Sequence, residues 1–141
     1  GGAMRFVDSN VFLHAFLKPR RELSEEEGRV KEAAKEIVRG IEGGDGVAMS
    51  TVHLSEVVNI IESGFGLQES LGFLAWAISN ANIDVYPTDV GDYGSALSVA
   101  RDRGVSANDA LAYLLMKERG LDEIYSFDRH FDQLDVTRLP M

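Results

Sequence analysis

The chain has 141 residues, 45% hydrophobic and 26% charged, with no cysteine and a formal net charge of −9. That length suits one compact domain with a sizeable core. The lack of cysteine excludes disulfides, thiolate metal sites and a cysteine nucleophile, and the acidic balance disfavours nonspecific nucleic-acid binding because the average field repels phosphate.

In chain order, residues 5–8 (RFVD) predict a short buried strand, and 9–17 predict a helix that is broken before Pro19. Ser24 and Glu27 form a capping-box pattern ahead of an amphipathic helix running to Glu42, with Gly43, Gly44 and Gly46 turning out of it. Val47 to Met49 is a second strand, and Ser50 or Thr51 caps a helix over 52–64 that ends at Gly64 and Gly66. A helix over 67–80 follows, then a strand from Ile83 to Tyr86 stopped by Pro87. Helices over 89–103 and 107–119 are separated by Gly104, ahead of a strand from Ile124 to Phe127 and a last short strand near 136–139. Strands alternating with longer helices, without hairpin signals, predict a three-layer α/β/α sandwich around a central parallel sheet.

No apolar stretch is long enough to span a membrane and no signal-peptide pattern follows Met4, so a cytoplasmic location is expected. Gly1 to Ala3 read as a cloning remnant, leaving a single domain at 4–141.

Four acids stand where apolar runs give way to polar sequence: Asp8, Glu56, Asp109 and Asp128. Each also has a local explanation. Asp8 and Asp128 are placed to cap the helices that follow them, and Asp109 sits at N3 of an S-x-x-D capping pattern begun by Ser106. Glu56 shares a helix face with Val52 and Ile60, so it is either a site residue or half of a buried ion pair. In a parallel α/β sheet, ligands bind beyond the carboxyl ends of the strands, where Asp8 and Asp128 fall. Carboxylates about 5 Å apart repel by about 3 kcal/mol per pair at an effective dielectric of 20. A helix N-terminus offsets only about 0.3–1 kcal/mol per charge. If the four converge, they must therefore protonate, pair with bases or bind cations. Arg129 is the main base nearby, so cations are favoured.

FVDSNVFL at 6–13, STVHLSEVVN at 50–59, SANDALAYLL at 106–115 and SFDRHFD at 126–132 resemble the motifs of the PIN-domain family of metal-dependent nucleases. The match is nearest to the toxin ribonucleases of VapBC-type toxin–antitoxin pairs. The resemblance implies that Asp8, Glu56, Asp109 and Asp128 are the catalytic, metal-ligating acids, with Asn10 and Ser126, the small polar residues beside the first and last, binding substrate. It implies hydrolysis of RNA phosphodiesters with Mg²⁺ or Mn²⁺, an antitoxin partner and a homodimer.

Arg129 and His130 are placed to contact substrate phosphate, although surface or packing roles fit equally. Asp132 lies one turn on and either shares the work or is solvated. Lys18, Arg20 and Arg21 form the only tight basic patch, a solvated loop or an RNA-contact edge. His14, His53 and His130 share no metal-binding spacing, EGGDG is no phosphate loop, and the apolar run at 71–78 is core or dimer interface. Two other readings stay open: a phosphatase or phospho-acceptor domain with Asp8 as nucleophile, and a non-catalytic interaction module. The first lacks the second Asp that such phosphatases place where Asn10 stands.

Overall fold

The computed structural model describes residues 4–140; Gly1 to Ala3, read as a cloning remnant, and Met141 lie outside the described residues. Five short strands, β1 (Arg5–Val7), β2 (Val47–Ser50), β3 (Ile83–Tyr86), β4 (Glu123–Tyr125) and β5 (Thr137–Leu139), form one sheet in the order β3-β2-β1-β4-β5. Every pairing is parallel. The predicted last strand near 136–139 is the edge strand β5.

The period of two along the strands decides which helices cover which face. Val7, Val47, Met49 and Ile83 point to one side, where they pack with buried residues of α1 (Ser9–Phe16), α2 (Glu25–Glu42), α3 (Thr51–Phe65) and α4 (Leu67–Ser79). Phe6, Ala48 and Ile124 point to the other, against Ala112 and Met116 of α6 (Ala107–Arg119). The last helix of that layer, α5 (Val90–Arg103), packs on α6 through Ala96, Val105, Ala110 and Leu111. These are the three layers the alternation predicts.

Helix ends follow local chemistry. Ser24 and Glu27 close the predicted capping box at α2, and Gly104 and Gly120 end α5 and α6 at φ of 67° and 70°, where glycine lacks the Cβ penalty. Two strands end earlier than expected. β1 stops at Val7 because Asp8 turns to cap α1 through Ser9 N. β4 stops at Tyr125 because the Phe127 N–H donates to Asn10 Oδ1, 3.2 Å away, instead of continuing the ladder. The apolar run at 71–78 divides: Phe73 and Ala77 enter the core, while Leu71 and Ile78 stay exposed.

Candidate metal centre

From β1 the chain builds outward through β2 to β3, then returns to place β4 on the other side of β1. The strand order therefore reverses between β1 and β4, and such a switch point opens a crevice at the carboxyl ends of the strands. Asp8 follows β1 and Asp128 follows β4 by a short loop. The N-terminus of α6 brings Asp109 from one helical layer, and α3 brings Glu56 from the other. All four acids, with Asn10, Ser106, Ala107 and Asn108, line one cavity of about 330 Å³.

Asp8 is 7% exposed. Its Oδ1 accepts from Ser9 N at 2.9 Å, and its Oδ2 accepts from Ser126 Oγ at 2.8 Å and Asn10 Nδ2 at 3.3 Å. A carboxylate offers about four lone-pair sites, so capping leaves acceptor capacity for the cavity. Ser126 is fully buried and also accepts from Asp128 N at 3.0 Å, tying the first acid to the loop of the last. The residue expected at the substrate surface lies beneath it. Asn10 lines the cavity and braces the same loop through Phe127 N.

Among the described residues Glu56 makes no buried pair with a base. Its Oε2 accepts from Asn108 Nδ2 at 2.7 Å, fixing the carboxylate across the cavity from the opposite layer. At Asp109 only half of the capping box closes. Ser106 Oγ accepts from Asp109 N at 3.1 Å, without the return bond that Glu27 makes at α2. The Asp109 carboxylate is instead grouped with Asp128 and His130, one ligand atom from each lying within 4.8 Å of the others. Asp128 caps a 3₁₀ turn, Arg129–Gln133, whose Phe131 is fully buried. Burying that ring contributes about 1.5–3 kcal/mol, enough to hold the turn against the sheet.

The electrostatics favour a cation. Burial pushes the Asp8 carboxyl up to about 7 against the opposing Ser126 hydrogen bond, and the charges of Asp109 and Glu56 push the same way. Burial and then Asp128 raise Asp109 to about 6. An all-oxygen set of carboxylates that resists ionisation is what a hard divalent cation relieves, so these residues fit Mg²⁺ or Mn²⁺.

Not every expected residue joins the group. Arg129 is exposed and does not line the cavity, and Asp132 is held by Arg138 Nε at 2.9 Å. Arg21 of the basic patch pairs with Glu27 at the start of α2. His53 is buried beside Ser50 and Phe6, and burial lowers its pKa to about 4, so it is a neutral packing residue. Sequence reasoning missed Asn108. Its one signal was an amide next to Asp109 at a helix start, where capping already explains it.

Residues 5–136 match the family profile described as PIN domain. Among solved structures the fold is similar to VapC20 of Mycobacterium tuberculosis, a sarcin–ricin loop cleaving toxin, with TM-score 0.67 and 18% identity over 92% of this chain and 93% of that one. It is also similar to VapBC2 from Rickettsia felis bound to a DNA fragment from their promoter, at 0.65 and 10% identity over 96% and 97%. FitAcB from Neisseria gonorrhoeae gives 0.60 and 17% over 96% of each chain. No curated protein sequence matches.

Proposed function

The chain belongs to the PIN domain family, and on that premise we propose that residues 4–141 are one metal-dependent endoribonuclease domain, the toxin of a toxin–antitoxin pair. The observation that carries this reading is the meeting of Asp8, Glu56, Asp109 and Asp128 in one cavity at the switch point of the sheet. A bound Mg²⁺ or Mn²⁺ would supply an activated water at neutral pH and offset charge on the leaving oxygen. Asp8, Asp109 and Asp128 would hold the ion. Glu56, tethered through Oε2 to Asn108, keeps Oε1 to orient the water or take its proton. Ser126 and Asn10 keep Asp8 in place, and exposed Arg129, next to Asp128 in the chain, offers a contact to phosphate. Bound cations reverse the local sign of an otherwise acidic surface, which admits RNA.

The similarity to VapC20, VapBC2 and FitAcB supports an antitoxin partner. Among the described residues no helix is long and apolar enough to cross a membrane. A groove of about 560 Å³ lined by Phe16, Phe65, Phe73 and Trp76 is an apolar surface of the kind a protein partner covers. On α5, Val90, Tyr93 and Leu97 are exposed at i, i+3 and i+7, and they offer a face for the homodimer.

The purified protein should cleave RNA when Mg²⁺ or Mn²⁺ is added and sediment as a dimer. Asp8→Asn should cut the cleavage rate at least about 100-fold, as loss of a transition-state electrostatic contact does. Equal cleavage by wild type and variant, or equal cleavage in excess EDTA, would sink the assignment.

A further inference from the structure

We propose that His130 is a nitrogen ligand of this centre and shifts its preference from Mg²⁺ toward a transition ion such as Mn²⁺; the proposal rests on reading the cavity as a metal site. His130 Nδ1 lies 3.1 Å from Asp128 Oδ1 and 3.7 Å from Asp109 Oδ2. The Nδ1–Asp128 separation matches the roughly 3.0 Å between neighbouring ligands held about 2.1 Å from one octahedral ion, and one ligand atom from each of Asp109, Asp128 and His130 lies within 4.8 Å of the others.

The ring is aimed by the backbone rather than by packing. Its side chain is 59% exposed, so no enclosure forces the geometry. The His130 N–H donates to Asp128 Oδ1 at 2.9 Å, and buried Phe131 anchors the next position of the turn. A two-residue offset in this turn therefore puts imidazole and carboxylate on the same side. Nδ1 already faces two carboxylates, which leaves only Nε2 for a substrate phosphate. Mg²⁺ favours oxygen ligands and keeps several waters, whereas Mn²⁺, also at home among carboxylates, opens the first-row series in which affinity for nitrogen-bearing sites rises.

The test is calorimetric titration of metal-free wild type, His130→Ala and His130→Gln with MnCl₂ and with MgCl₂, together with pulsed electron paramagnetic resonance of the Mn²⁺ complexes. In wild type the Mn²⁺ signal should carry ¹⁴N coupling from a directly bound imidazole, and both variants should lose it. Mn²⁺ affinity should fall about tenfold or more on substitution, the low end of what even outer-shell partners contribute, with Mg²⁺ affinity nearly unchanged. Equal Mn²⁺ affinity in the variants, or no ¹⁴N coupling in wild type, overturns the role of His130 while leaving the acidic site standing. Failure of wild type to bind either ion overturns both.

Discussion

Asp8 shows at the residue scale how a buried carboxyl group is held at a cost to the fold. In the ion-free protein its pKa stands at about 7 against an ordinary 3.8, because it is buried beside Asp109 and Glu56. Every tenfold change in proton affinity corresponds to about 1.4 kcal/mol, so ionised Asp8 weakens the native state by up to roughly 4 kcal/mol at pH 8. Asp8→Asn removes that charge. It also leaves two amide donors, its own and Asn10 Nδ2, facing each other where Oδ2 had accepted. The net expectation is a metal-free variant more stable than wild type at pH 8 by on the order of 2 kcal/mol, measured by urea unfolding, with its response to divalent ions lost. A variant less stable than wild type would show that the hydrogen bonds outweigh the charge. The identity of this residue was legible in the sequence, since an Asp ending a strand before Ser-Asn has few roles. The burial of Ser126 was not, because a hydroxyl beside an acid reads the same whether it faces solvent or braces the acid from below.

At the scale of the element, α6 carries the site through its first turn. Ser106 Oγ accepts from Asp109 N, and one turn of helix then presents Asp109 and Asn108 to the cavity together. Ser106→Ala should cost about 1 kcal/mol, as for other lost N-caps. It should also lower RNA cleavage more than thermal stability alone accounts for, because the fraying turn holds both Asp109 and the amide that fixes Glu56. Cleavage that falls only in step with the folded fraction would remove Ser106 from the site's support. Element types were readable because strand and helix periods differ and the caps are chemically distinct. The Asn108–Glu56 bond was not readable. It spans 52 positions, and helix propensity says nothing about which side chains of two layers meet. The direction of the His130 ring escaped in the same way, since a surface histidine two residues after an acid has no periodic signature.

On the scale of the whole molecule, the titrations predict how ion binding couples to stability. Asp8 and Asp109 bind protons in the folded, ion-free chain up to about pH 7 and 6, and in the unfolded chain only below about 4. Their contribution to stability is therefore present at low pH and is lost as pH rises through those values. Buried His53 acts oppositely: its folded pKa of about 4 lies below its unfolded 6.5, so its contribution is lost as pH falls between them. A bound cation favours the ionised acids, so the stabilisation by saturating Mn²⁺ should grow from pH 6 to pH 8. At a concentration 100 times the dissociation constant it should reach about 2.7 kcal/mol. Thermal-shift measurements with and without Mn²⁺ check this, and an increment that is flat or falls with pH would refute it. The layered parallel sheet was legible from the alternation of elements, but strand order was not. Only pairing β4 against β1 places the first and last acids side by side.

That strand order also sets a schedule for synthesis. A ribosome delivers Asp8, Glu56 and Asp109 early, yet central β1 keeps one edge bare until β4 emerges, and β4 is followed only by the 3₁₀ turn and edge strand β5. The Ser126 hydroxyl that steadies Asp8, the Asn10 latch to Phe127 and Asp128 itself all arrive with that final stretch. A nascent chain thus carries most of its acids without a finished centre, and the four carboxylates can meet only once the last two strands are in place.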